Sequence, residues 1–127
     1  MIMVDSDIII WHMRGRADIG AQLEAAAGES GGMLYVTAVQ VCEVMTGLRP
    51  RESAAARAAL TLFQCAALDA ESGLLAAEFR ARFAKSHHLT LADSLIAAAA
   101  RTRGLVLWTL NKKHYPMLRS AEMYSPG

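Results

Sequence analysis

The 127-residue sequence contains few of the residues that mark special classes of protein. Its two cysteines, Cys42 and Cys65, have no CxxC spacing and no histidine nearby, so neither a disulfide framework nor a zinc site is predicted. Both lie in hydrophobic surroundings and are predicted to be buried free thiols of a cytoplasmic protein. A GxSxG motif and a glycine-rich phosphate loop are also absent, which leaves no support for a serine hydrolase or a P-loop protein.

Long hydrophobic runs are missing as well. No stretch of about eighteen apolar residues is free of charges, so no segment is predicted to span a membrane. The start of the chain is apolar, but it includes Asp5 and Asp7 and no basic region precedes it, so we do not expect a signal peptide. The formal net charge of +1 favours no particular partner.

Short apolar segments make up much of the chain, which is 54% hydrophobic and is predicted to form one domain over residues 1–127. The strand candidates are Met1–Val4, Met33–Val36, Cys65–Leu68, Leu105–Thr109 and, at an edge, Met123–Tyr124. The helix candidates are Ile8–Met13, Ile19–Ala27 (closed by Gly28), Thr37–Leu48, Arg51–Phe63, Glu71–Lys85 and Thr90–Arg103. Strands that alternate with helices predict an α/β domain of three layers, with a central, mostly parallel sheet of four to five strands flanked by helices.

Three acidic residues, Asp5, Glu43 and Asp93, are set among apolar or small residues. An ionised carboxylate that is buried without a partner costs several kcal/mol. If the fold brings the three together, their repulsion calls for a hard divalent cation with oxygen ligands. The first hypothesis is therefore a metal-dependent enzyme that acts on phosphodiesters.

Each acid also has a simpler explanation from its position in the sequence. Asp5 follows the first strand candidate and can cap the helical segment after it, although Asp5-Ser6-Asp7 supplies more acid than a cap needs. Asp93 falls in the first turn of a helix, where a negative charge is favourable. Glu43 lies opposite the apolar stripe of its helix, a position typical of a solvated side chain. From the residues alone, a functional role is favoured for Asp5, is open for Asp93 and is not favoured for Glu43.

Four sequence blocks together suggest a family. They are Met-Val-Asp-Ser-Asp-Ile-Ile-Ile, Val-Thr-Ala-Val-Gln-Val-Cys-Glu-Val, Leu-Thr-Leu-Ala-Asp-Ser-Leu-Ile-Ala-Ala and Leu-Trp-Thr-Leu-Asn-Lys-Lys-His-Tyr-Pro-Met-Leu. In this order and at this spacing, the chain resembles the PIN-domain ribonucleases, and among them the VapC toxins of bacterial toxin–antitoxin pairs. The resemblance runs from Met1 to about Tyr124 and so implies a single PIN-like domain.

The resemblance implies that Asp5, Glu43 and Asp93 hold Mg²⁺ or Mn²⁺ and that the protein hydrolyses RNA. It also assigns supporting polar roles to Ser6, Thr37 and Thr109. Many members carry a fourth acid where this chain has Asn111, and Asp7 is expected to compensate in part. Residues expected to contact the RNA backbone are Arg14, Arg16, Lys112 and Lys113.

The partners implied by the resemblance are a cognate VapB-like antitoxin and a second copy of the chain in a homodimer. An apolar helical surface at Ile19–Leu23 and Arg51–Phe63 is expected to suit such partners.

Two other classes of function remain as alternatives. One is a non-catalytic module that binds RNA or a protein partner, which the missing fourth acid favours. The other is a phosphoacceptor receiver domain, in which Asp69 would be the acceptor and Asp5 and Asp7 would hold Mg²⁺, with Thr109 and Lys112 completing the site. Asp69, however, is also well placed to cap the next helix, and this reading leaves Glu43 and Asp93 without a task.

Overall fold

A four-stranded parallel sheet forms the centre of the protein in a computed structural model that describes residues 1–127. The strands are β1 (Ile2–Val4), β2 (Leu34–Val36), β3 (Gln64–Cys65) and β4 (Val106–Trp108), in the spatial order β3-β2-β1-β4. Strand β1 is therefore central, and its Met3 pairs with Tyr35 on one side and Leu107 on the other. The predicted edge strand at Met123–Tyr124 is reduced to a single bridge between Leu107 and Met123.

Six helices cover the two faces of this sheet, as the alternation of strands and helices predicted. They are α1 (Ser6–Met13), α2 (Ala17–Glu29), α3 (Ala38–Gly47), α4 (Ser53–Leu60), α5 (Ala70–His87) and α6 (Leu91–Thr102). Because side chains alternate along a strand, Ile2 and Val4 pack with helices α1 to α4, whereas Met3 packs with α5 and α6. The three-layer α/β architecture is confirmed.

Polar residues cap three of the helices that begin just after a strand or a loop. The capping box predicted from Thr37 and Gln40 is present at the start of α3, where the Thr37 amide donates to Gln40 Oε1 at 2.9 Å. Asp69 accepts from the Ser72 amide at 3.0 Å and caps α5, and Thr90 accepts from the Asp93 amide at 3.1 Å and caps α6. These caps set where each helix starts, and thereby the direction of the side chains in its first turn.

Several expected details differ in the structure. Helix α2 passes through Gly28 and ends at Glu29, because the left-handed backbone that favours glycine is first needed at Gly31 and Gly32. Cys42 and Cys65 are free but exposed rather than buried, since hydrophobic neighbours in sequence do not determine which side of an element a residue faces.

The apolar surface expected at Ile19–Leu23 is also corrected. Ile19 and Leu23 are buried against the sheet, so they belong to the core and cannot meet a partner. In the other predicted segment, Arg51–Phe63, Leu62 is 76% exposed whereas Ala56 is buried, and outside both segments Leu74 is 72% exposed. None of the helices has both the length and the apolar character needed to cross a lipid bilayer.

Candidate active site

Asp5 lies at the carboxyl end of the central strand, where ligands bind in open parallel sheets. Its Oδ1 accepts from the Ser6 amide at 2.8 Å and caps α1, so the expected capping role is present. Its Oδ2 accepts from Thr109 Oγ1 and from Tyr115 Oη, both at 2.8 Å. With 7% of the residue exposed, Asp5 is a buried carboxylate held by three donors.

Asp93 stands beside Asp5, although 88 residues separate them in the sequence. Its Oδ1 lies 3.2 Å from Tyr115 Oη, and its Oδ2 lies 4.0 Å from His114 Nδ1. Burial raises the pKa of the Asp93 carboxyl, and the charge of Asp5 raises it further. Asp93 is therefore more than a favourable charge in the first turn of α6.

Glu43 is half-buried rather than solvated, contrary to its position opposite the apolar stripe of α3. Helix α1 packs against α3 on this side, and Ser6 Oγ donates to Glu43 Oε1 at 3.1 Å. Burial raises the pKa of Glu43, the hydrogen bond from Ser6 opposes this, and the charges of Asp5, Asp93 and Asp7 raise it further. The packing of a neighbouring helix, which the helical wheel cannot represent, brings Glu43 toward the other acids.

Asp7 faces the segment that follows β4. Its Oδ2 accepts from the Leu110 amide and from Asn111 Nδ2, each at 3.1 Å, and lies 3.3 Å from Thr109 Oγ1, which makes its shorter contact with Asp5. Its Oδ1 is buried and has no hydrogen-bond partner. Burial raises the pKa of Asp7, and the charge of Asp5 adds to this effect. Asn111 thus serves as a donor to Asp7 at the position where a fourth acid was expected.

The chemistry of these donors fits a hard divalent cation. Carboxylate oxygens are the ligands that Mg²⁺ and Mn²⁺ prefer, and the unpartnered Asp7 Oδ1 is an acceptor that nothing in the protein satisfies. Without a metal, the side chains do not converge as a group of three ligands around one point. The donor set therefore fits such an ion, and each carboxylate is positioned by hydrogen bonds of its own.

The other residues predicted for the site have varied positions. The Thr37 hydroxyl caps α3 and contacts none of the acids, whereas Ser6 and Thr109 each donate to one. Arg14 donates to the Gly47 carbonyl at 3.4 Å, and Arg16 pairs with Asp18 at 2.6 Å. Lys112 donates to Ser125 Oγ at 2.8 Å, and Lys113 is exposed.

Tyr115 is a member of the site that the sequence did not reveal as one. The residue is 1% exposed, and its hydroxyl is the one group that lies within hydrogen-bond distance of both Asp5 and Asp93. Burial raises the pKa of this phenol, as do the two carboxylates, so the hydroxyl keeps its proton. A tyrosine in a polar turn carries no signal of such a role, because only the tertiary fold brings its ring under the acids.

Comparisons with known proteins agree with this architecture. Residues 2–117 match the family model described as PIN domain. The chain is also 33% identical to ribonuclease VapC10 of Mycobacterium tuberculosis over 118 aligned residues. The aligned region covers 92% of this chain and 87% of that protein. The chain therefore belongs to the PIN-domain family, which confirms the resemblance and overturns the receiver-domain alternative. In keeping with this, Asp69 is exposed and caps α5.

Solved structures share the fold over nearly the whole chain. A toxin–antitoxin complex from Klebsiella pneumoniae contains a chain that superposes with a TM-score of 0.81 at 23% identity, covering 100% of this chain and 98% of that one. A DNA-bound VapBC from Salmonella typhimurium gives a TM-score of 0.77 at 19% identity, covering 96% and 93%. At these identities the structures demonstrate the fold.

Proposed function

We propose that this protein is a divalent-metal-dependent ribonuclease that hydrolyses RNA phosphodiester bonds and acts as the toxin of a VapBC-type toxin–antitoxin pair. The observation that carries the proposal is that the Tyr115 hydroxyl lies within hydrogen-bond distance of both Asp5 and Asp93, while Glu43, bonded to Ser6, is near enough for both charges to raise its pKa. Kinship with ribonuclease VapC10 supplies the reaction class.

In the proposed mechanism, Asp5, Glu43 and Asp93 would hold Mg²⁺ or Mn²⁺, and Asp7 Oδ1 would be a further acceptor. When bound, such a cation polarises a phosphoryl oxygen and lowers the pKa of water. The protein itself keeps the carboxylates oriented: Thr109 and the Ser6 amide fix Asp5, and the Ser6 hydroxyl fixes Glu43. These donors restrict the orientations of the carboxylates before the ion and the RNA bind.

Arginines beside the site are suited to the RNA backbone. Arg14, Arg49 and Arg51 line one cavity of about 500 Å³ together with Met13, Gly15, Gly47 and Glu52. The Glu52 carboxylate accepts from the Arg49 amide at 3.0 Å, and the three arginines outnumber this one acid. None of the three guanidinium groups forms an ion pair within the protein; Arg14 donates to the Gly47 carbonyl at 3.4 Å, and Arg49 and Arg51 remain available to phosphates. The cavity lies at the far end of α1, which at 1.5 Å per residue is roughly 12 Å from the acids. We infer that this arginine cavity holds a phosphate flanking the cleaved bond.

Cleavage assays test the catalytic proposal. Wild-type protein free of antitoxin is incubated with a panel of structured RNAs and Mg²⁺ or Mn²⁺, beside Asp5→Ala and Asp93→Asn. Glu78→Gln serves as a matched control, since this acid is exposed on α5 and lies outside the site. We expect cleavage that requires the metal and is abolished by both site substitutions but not by the control. RNA binding without cleavage by the folded wild type would instead support the non-catalytic module.

Binding assays test the arginine cavity. The double variant Arg49→Glu/Arg51→Glu is made in the Asp93→Asn background, which keeps the RNA intact. Charge reversal at Arg80 and Arg82, exposed on α5, is the control. We expect the cavity variant to bind RNA at least about tenfold more weakly than its parent. The slope of log K against log salt concentration should be smaller in magnitude by about two. Equal effects of the two double variants would refute a specific phosphate site.

The VapB-like antitoxin and the homodimer complete the proposal. Co-expression with the product of a neighbouring antitoxin-like reading frame should give a complex that no longer cleaves RNA. Light scattering of the toxin alone should give the mass of two chains. A monomeric, fully active toxin would remove the homodimer from the proposal and leave the enzyme unaffected.

A further inference from the structure

The Tyr115 hydroxyl lies between two carboxylates that are far apart in the sequence, Asp5 and Asp93. It lies 2.8 Å from Asp5 Oδ2 and 3.2 Å from Asp93 Oδ1. The ring is 1% exposed and is packed in the core cluster beneath α6, so the hydroxyl has little freedom to move. The hydroxyl is therefore a fixed hydrogen-bond donor that lies within reach of both carboxylates.

A count of hydrogen bonds shows what this donor does to Asp5. A carboxylate offers about four lone-pair sites, two on each oxygen. On Asp5, Oδ2 accepts from both Thr109 and Tyr115, and Oδ1 accepts from the Ser6 amide. Oxygen Oδ2 is therefore saturated, and the remaining acceptor site of Asp5 is on Oδ1.

The same hydroxyl distinguishes the two oxygens of Asp93. Its single proton is shared in a bifurcated hydrogen bond between Asp5 Oδ2, the shorter contact, and Asp93 Oδ1, while Asp93 Oδ2 lies 4.0 Å from His114 Nδ1. The hydroxyl thus holds one oxygen of each carboxylate, Asp5 Oδ2 and Asp93 Oδ1, at the same fixed point, and leaves Asp5 Oδ1 and Asp93 Oδ2 outside that contact. We propose that Tyr115 is a positioning residue of the metal site, which through its hydroxyl holds Asp5 and Asp93 in the orientation that binds the cation. This inference rests on the proposed function, since it concerns the same acids.

Removal of the hydroxyl alone tests the proposal. Tyr115→Phe keeps the buried ring and deletes one oxygen atom, and Tyr124→Phe is the matched control because its hydroxyl also donates to a carboxylate, Glu29, at 3.1 Å. Mn²⁺ affinity is measured by electron paramagnetic resonance, and kcat and KM are measured with RNA. We expect Tyr115→Phe to bind Mn²⁺ about tenfold more weakly and to lower kcat at a fixed Mn²⁺ concentration, with KM for RNA unchanged. Tyr124→Phe should leave all three quantities at wild-type values.

A measurement on the wild type avoids dependence on the folding of the variant. With all three tyrosines labelled at ¹³Cζ, titration with Mg²⁺ should shift the Tyr115 resonance and leave those of Tyr35 and Tyr124 in place. A Tyr115→Phe protein with wild-type Mn²⁺ affinity, or a Tyr115 resonance that ignores Mg²⁺, would overturn the positioning role. Absence of Mn²⁺ binding by the wild type would overturn the proposed function itself, so the two failures are distinguishable.

Discussion

Asp93→Asn should make the metal-free protein more stable while it abolishes catalysis. In the wild type, the Asp5 and Asp93 oxygens share the Tyr115 hydroxyl at 2.8 and 3.2 Å and so lie within about 6 Å of each other. At that separation two unit charges repel by roughly 3 kcal/mol at an effective dielectric constant of 20, and by roughly 0.7 kcal/mol in bulk water. The amide removes this repulsion and its oxygen still accepts from Tyr115.

A smaller loss opposes the gain. A negative charge in the first turn of a helix stabilises it by about 0.3–1 kcal/mol, and the amide gives this up. The net expectation is a free energy of unfolding higher by about 0.5–2 kcal/mol in EDTA at pH 8, since the two effects have opposite signs. Because burial and Asp5 raise the pKa of Asp93 in the folded state, the advantage of the variant should appear as pH rises from about 4 through that raised pKa.

Urea denaturation followed by circular dichroism measures this difference, with and without Mn²⁺. Mn²⁺ should stabilise the wild type and have little effect on Asp93→Asn. Asp69→Asn is the matched control: its hydrogen bonds from Ser72 lower the pKa of the carboxyl, so the same substitution should slightly destabilise the protein. If Asp93→Asn were no more stable than the wild type in EDTA, the carboxylates would not repel each other as inferred.

Two further predictions concern charge pairs. Glu122 accepts from Arg101 through two hydrogen bonds of 2.9 Å, which lower its pKa to about 2, so this stabilisation is present above the ordinary value of 4.5 and is lost as pH falls toward 2. Glu122→Gln should lower the free energy of unfolding by about 2 kcal/mol at pH 7, which is below the ~3 kcal/mol that the pKa shift implies without solvent screening. Urea denaturation curves of the two proteins should converge near pH 2. A difference that stays constant with pH would contradict the pairing. Asn111→Asp replaces the donor to Asp7 with a like charge, so it should lower stability in EDTA by about 1–2 kcal/mol, and Mn²⁺ should reverse the loss. A variant as stable as the wild type in EDTA would show that Asn111 does not support Asp7.

The sequence was sufficient for the architecture because its strongest signals are local. The period of apolar residues separates strands from helices, and the Thr37–Gln40 capping box begins α3 where predicted. The position of Asp5 after a buried strand was also readable, since a parallel sheet places the carboxyl end of each strand at one edge. These features depend on neighbours within a few positions in the chain.

Only the tertiary structure decided which faces are buried and which side chains meet. Glu43 appears solvated on its own helix and becomes half-buried because α1 packs beside it. Cys42 and Cys65 have apolar sequence neighbours and are exposed nonetheless. Tyr115 carries no local signal, yet its hydroxyl joins residues 110 and 22 positions away. Such contacts depend on how distant elements pack. Local sequence patterns miss them because burial and charge repulsion act through space rather than along the chain.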